Sequence, residues 1–199
     1  LELLRRAPGG MAGDLMQRPA RERMKNERSP LRRHHGVSGV RPPLIPRHHV
    51  HRALLAPEQG VATFEAIAVN AALAGAGPEH LPVIVAAVRA VADPVFNLNA
   101  VQTTTHPCTP LVIVNGPIAR RLGINAGANA LGQGHRANAV IGRALRLVLQ
   151  NVGGARPGET DRATLGHPGK YAYCLAENEG ESPWEPLSVE RGFEKDESC

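Results

Sequence analysis

The chain has 199 residues and a formal net charge of +5, but that charge is divided unevenly. Residues 1–52 hold 12 Lys and Arg against 4 Asp and Glu, a net of +8, which leaves 11 against 14, a net of −3, for the remainder. All six aromatic residues lie after residue 52, so the first segment lacks the bulky apolar groups that offset ordering entropy, and no apolar run reaches membrane-spanning length.

Residues 1–56 therefore read as a basic arm, disordered or artefactual, since abundant Arg, Pro, Gly and His is also what out-of-frame translation of GC-rich DNA produces. The arm has cations for phosphate but no interleaved aromatics for base stacking, so nucleic acid is not the expected partner. His34-His35 and His48-His49 have no Cys or carboxylate at ligand spacing, and no metal is assigned. Residues 57–199 read as one domain, whole or incomplete at Cys199.

Thr63–Ala74 has Phe64, Ile67, Ala68 and Ala71 at helical spacing, with Gly75 and Gly77 placed to cap it. Pro78-Glu79 suits the start of a second helix, with Leu81, Val85, Val88 and Ala92 on one stripe and Asp93-Pro94 ending it. Together these make an αα-hairpin, and its nearly uncharged surface predicts burial under other elements. Leu98–Thr104 reads as a strand. Leu111–Asn115 (LVIVN) reads as a short strand buried on both faces, followed by a brief helix over Pro117–Leu122. Gly123–Gly134 is too rich in Gly and Asn for a stable element and reads as a loop. Arg136–Asn151 is the clearest helix, with Val140, Ala144, Leu147 or Val148, and Asn151 on one face and Arg143 and Arg146 snorkelling on another. A polar connection leads to a strand over Lys170–Glu177, in which Tyr171, Tyr173 and Leu175 alternate with Ala172, Cys174 and Ala176. The fold class is α/β or α+β: an αα-hairpin, then a mixed small sheet with a glycine-rich loop and a long amphipathic helix.

The blocks ATFEAIAVNAALAG, NAVQTTTHPCTPLVIVNGPIARRLGINAGANALG, HRANAVIGRALRLVLQNVGGARPGETDRAT and GKYAYCLAENEGESPWEPLSVERGF resemble an uncharacterised bacterial family associated with the UGSC-type (seleno)proteins. The resemblance spans about residues 57–193. It implies a truncated member of a longer family and a UGSC-type selenoprotein partner. The selenocysteine or cysteine motif itself is absent, so redox chemistry inferred through that association belongs to a partner or to a missing part.

Three groups of residues carry candidate chemistry. In His106-Pro107-Cys108, proline favours an extended path in which residues two apart project to one side, so the imidazole can support a nucleophilic thiolate; the plain alternative is a buried thiol beside a turn histidine. Asn115, at the end of LVIVN, stands where open α/β sheets place ligand contacts. Gly132, Gly134, His135, Arg136 and Asn138 form a GxGxxA-like turn into a helix, suited to a phosphate or carboxylate. A dinucleotide is disfavoured, because no strand leads into the glycines and Arg156 stands where the ribose-binding acid belongs. Glu177, at the end of the last strand, is a general-base candidate if it faces the glycine loop.

Three cysteines without CxxC argue against a zinc knuckle or disulfide frame and for a reducing cytoplasm. Two functions follow: a small-molecule enzyme holding an anionic substrate near Cys108 and His106, or a non-catalytic subunit of an oligomeric complex. No cofactor is identified by sequence.

Overall fold

The computed structural model describes residues 53–195, 197 and 198; the expectations for the arm before residue 53 lie outside the described residues. The first described strand lies ahead of the expected boundary at 57. Ala53–Leu55 (β1) pairs antiparallel with Gly60–Ala62 (β2), and Leu55 and Ala62 are fully buried. Short alternation on both sides of the APEQG turn was the available signal for this hairpin, which sequence reasoning missed. It is tied to the body by Glu58 N–H donating to the Gly153 carbonyl at 3.0 Å.

The αα-hairpin forms as expected from Phe64–Leu73 (α1) and Leu81–Ala92 (α2), the latter preceded by a 3₁₀ turn at Pro78–His80. Thr63 caps α1 by accepting from Ala66 N–H at 3.1 Å, and Gly75 supplies the left-handed turn at φ +80° that lets the chain reverse. Burial is less complete than the lack of charge suggested. Ile67 and Ala71 are inside, but Val69 and Leu73 stay exposed because α1 packs against α5 and α2 on one side only.

Leu98–Thr103 is a helix (α3), not a strand. Asp93 caps a 3₁₀ turn at Pro94–Phe96, and Asn97, left-handed at φ 54°, redirects the chain. Leu98 and Gln102, four apart, are then buried on one helical face, and Thr103 Oγ donates to the Asn99 carbonyl at 2.9 Å. The β-branched residues that suggested a strand are thus accommodated by side-chain bonding back to the helix.

The expected mixed sheet is two separate pairs, and the fold is α+β. Val112–Val114 (β3) runs parallel to Cys174–Ala176 (β4), with Val112, Ile113 and Val114 opposite Cys174, Leu175 and Ala176. Between them lie Pro117–Leu122 (α4), the glycine-rich loop, and Arg136–Asn151 (α5), whose bounds match expectation. β3 is covered on one face only: Val114 is buried, whereas Leu111 and Ile113 are 41% and 44% exposed. A sheet of two short strands with α5 on one side leaves its other face open. The last strand is also shorter than predicted, because Lys170 and Tyr171 close a 3₁₀ turn on His167 and Pro168 before β4 begins. In β4 the alternation holds, with Cys174 and Ala176 inward. The chain closes with a short helix, Leu187–Glu190 (α6).

The centre of the core is α5. Ile141, Ala144, Leu145, Val148 and Leu149 are buried against α1, α2 and β4. Gly142 lets the helix approach the segment before β4: a Cβ there would run into the Tyr173 amide and the Ala172 backbone. Among the described residues no helix is long and apolar enough to cross a membrane.

Candidate functional site

The parallel pair divides the candidate residues into two groups. His106 and Cys108 lie on the loop entering the start of β3, whereas Glu177 follows the end of β4. Parallel strands put these at opposite ends of the sheet, so Cys108, His106 and Glu177 do not form one catalytic trio.

At the carboxyl end, Asn115 Nδ2 donates to Glu177 Oε2 at 2.9 Å, and Glu177 N–H donates to the Val114 carbonyl at 3.0 Å. The carboxylate also receives Leu187 N–H at 2.9 and 3.1 Å, which fixes the start of α6. Glu179 accepts from Gly116 N–H and lies 3.4 Å from Arg120. Asn115 is thus buried, and Glu177 is employed as a bracket between the strand ends and α6. Two donors, Asn115 Nδ2 and Leu187 N–H, hold the Glu177 carboxylate in this bracket.

The glycine loop is similarly engaged with itself. Asn138, buried on the first turn of α5, accepts from Asn125 N–H at 2.8 Å and donates to the carbonyls of Asn125 and Ala130 at 2.9 and 3.1 Å. Asn129 Nδ2 donates to the Gln133 carbonyl at 2.6 Å, and its side chain fills the place that a Cβ on Gly132 would need. Arg136 does not turn into the loop; Nη2 donates to the Gly75 carbonyl at 2.8 Å and ties α5 to the α1–α2 turn. His135 precedes α5 without capping it through its side chain, and Gly134 is exposed at φ +107°. Asn138 and Arg136 brace the backbone, and the loop meets the carboxyl end of β4 through Ala176 N–H, which donates to the Asn125 carbonyl at 3.1 Å.

At the amino end a cluster appears that sequence reasoning missed. Arg146, expected to snorkel, is 7% exposed and donates through Nη1 to Gln102 Oε1 at 3.0 Å, and through Nη2 to Asp161 Oδ2 at 2.6 Å and the Ala155 carbonyl at 3.3 Å. Lys170 Nζ lies 3.0 and 2.9 Å from the two Asp161 oxygens and 3.5 Å from the Cys108 carbonyl. Burial alone would raise the Asp161 carboxyl, but hydrogen bonds from Lys170, the Ala163 amide and Arg146 hold it below its ordinary value. The available signal was Arg146 itself: four residues after Gly142 and three before Leu149, it falls on the inward stripe of α5, where a cation needs an acid.

The His-Pro-Cys loop sits on this cluster. Thr164 N–H donates to the Thr105 carbonyl at 3.0 Å, and His106 N–H donates to Thr104 Oγ at 3.1 Å. Both His106 and Cys108 are exposed, with no hydrogen bond joining them. Cys174 is the opposite case, since burial pushes its thiol up to about 12. Among the described residues no group of three or more His, Cys, Asp or Glu is placed to hold a metal ion.

A second surface feature is an apolar groove of about 440 Å³ between α2 and β3, bordered by Ala86, Ala90, Leu111, Ile113 and Ile118. Val112 N–H donates to the Tyr173 carbonyl and Val114 accepts from Glu177, so in a parallel ladder Ile113 turns its backbone away from β4. No protein-family model, curated protein or solved structure matches the chain.

Proposed function

We propose that the protein is a small-molecule enzyme acting on an anionic substrate, with Cys108 as the reactive thiol and His106 beside it on the same loop. One observation supports this reading most directly. The Cys108 carbonyl is 3.5 Å from Lys170 Nζ, so the residue that carries the exposed thiol adjoins a partly buried ion network in which Lys170 and Arg146 outnumber Asp161. Excess positive charge beside the loop favours a negative group bound there. The reading places the protein in a bacterial cytoplasm, where unpaired Cys108 and Cys174 persist as thiols.

Iodoacetamide labelling near pH 7 with peptide mapping tests it. Cys108 is expected to react faster than free cysteine and more slowly after His106→Ala or Lys170→Met, while Cys174 stays unlabelled until the protein unfolds. Cys108 reacting no faster than free cysteine in the folded protein would remove the enzyme reading.

The α2–β3 groove favours a second reading, a subunit that associates with copies of itself or with a UGSC-type partner through this surface. Exposed Leu111 and Ile113 beside an open strand edge are what a partner strand would cover. Sedimentation is expected to show an oligomer that Ile113→Asp dissociates; a parent protein that is monomeric at high concentration counts against this reading.

A further inference from the structure

Gln102 is 1% exposed, and its Nε2 has no hydrogen-bond partner. The amide cannot be turned around to relieve this. Oε1 accepts from Arg146, which has donors only, so reversing the amide would set Nε2 against the guanidinium. A buried amide N–H₂ without an acceptor is costly, and nearly all such groups in folded proteins have one. The network next to it is short of negative charge: Arg146 and Lys170 face a single carboxylate, Asp161, with side chains 7%, 14% and 4% exposed. The other charges of this region are at the surface, where Arg156 pairs with Glu58 and Glu159.

An unpaired donor and one unbalanced positive charge therefore occur in the same network, beneath the Thr104–Cys108 segment. We infer that this network is a binding site for a carboxylate group, which accepts from Gln102 Nε2 and answers the excess positive charge of Arg146 and Lys170. One negative charge brings the cluster to neutrality, which a phosphate carrying nearly two would overshoot. Of the three oxygens around Lys170 Nζ, the Cys108 carbonyl at 3.5 Å is the most distant, and it is the one an incoming carboxylate oxygen replaces. The His-Pro-Cys loop then lifts from Lys170 while Thr105 stays bonded to Thr164. That the bound molecule is a substrate rests on the enzyme reading above; that a carboxylate binds does not.

The experiment is an NMR titration of the whole chain, uniformly labelled with ¹⁵N, using sodium acetate as probe and sodium chloride and inorganic phosphate in parallel. Acetate is expected to shift the Gln102 side-chain amide saturably, at concentrations where chloride does not. Gln102→Glu keeps an acceptor for Arg146 but replaces the donor with a negative oxygen, and is expected to weaken acetate binding at least tenfold, read from the backbone amides of Thr104–Cys108. The inference is overturned by the parent protein alone if no saturable shift appears up to roughly 50 mM acetate, if chloride and phosphate act equally, or if Gln102 contacts a buried water that acetate leaves in place. Acetate binding with an unreactive Cys108 would sink the enzyme reading and leave the site; rapid labelling of Cys108 without acetate binding would do the reverse.

Discussion

Asp161→Ala is expected to lower the unfolding free energy by about 3–5 kcal/mol, the cost of stranding buried charge. The substitution leaves the Arg146 guanidinium 7% exposed with only the Gln102 and Ala155 oxygens to face, and deprives Lys170 of both its short contacts. Lys170→Met should cost far less, because Arg146 and Asp161 then form a neutral pair at 2.6 Å. Urea titrations monitored by far-UV circular dichroism read the difference as a fall in midpoint at unchanged slope. The same pair sets a pH dependence. The Asp161 carboxyl is held below its ordinary value in the folded protein, so its stabilisation is fully present above its unfolded value and is lost as pH falls through the folded one. Asp161→Asn should flatten that acid limb; equal acid sensitivity of parent and variant would show that other carboxylates control it.

Gly142→Ala should destabilise the protein by about 1–3 kcal/mol through overpacking. The direction is the informative part, since alanine in place of a mid-helix glycine ordinarily gains about 1 kcal/mol. Here the methyl group would meet the Tyr173 amide and the Ala172 backbone, which cannot rotate away as a side chain can. α5 must then retreat from β4, loosening Ile141 and Leu145 as well. A raised thermal midpoint for this variant would mean that the helix and the segment before β4 have room to spare.

How much of this was legible in the sequence depended on whether neighbours or distant partners decide a residue's role. The bounds of α5, the α4 helix and the reversal at Gly75 follow from local periodicity and left-handed glycine. Leu98–Thr104 misled because Val101 and two threonines favour a strand in isolation, whereas the burial of Leu98 and Gln102 on one face is a tertiary fact. The candidate site behaved the same way. Arg136 and Asn138 were correctly placed at the start of a helix, but their partners, Gly75 and Asn125, are 61 and 13 residues away. Cys108 and Glu177 each adjoin a strand, and only the parallel pairing shows that they are at opposite ends. Gln102, Arg146, Asp161 and Lys170 come from three separate stretches of chain, so no local pattern joins them.

The two-stranded parallel sheet has unlike margins. On the β4 side the outward amide of Ala176 is already taken by the Asn125 carbonyl at 3.1 Å, and Cys174 is buried. On the β3 side Ile113 turns its backbone outward, and among the described residues no strand lies beside it. A sheet with one sealed margin and one open margin can be extended once and no further. Two copies joined along β3 would present only β4 margins to a third, so pairing by this route ends at a closed dimer of four strands and cannot grow into a filament.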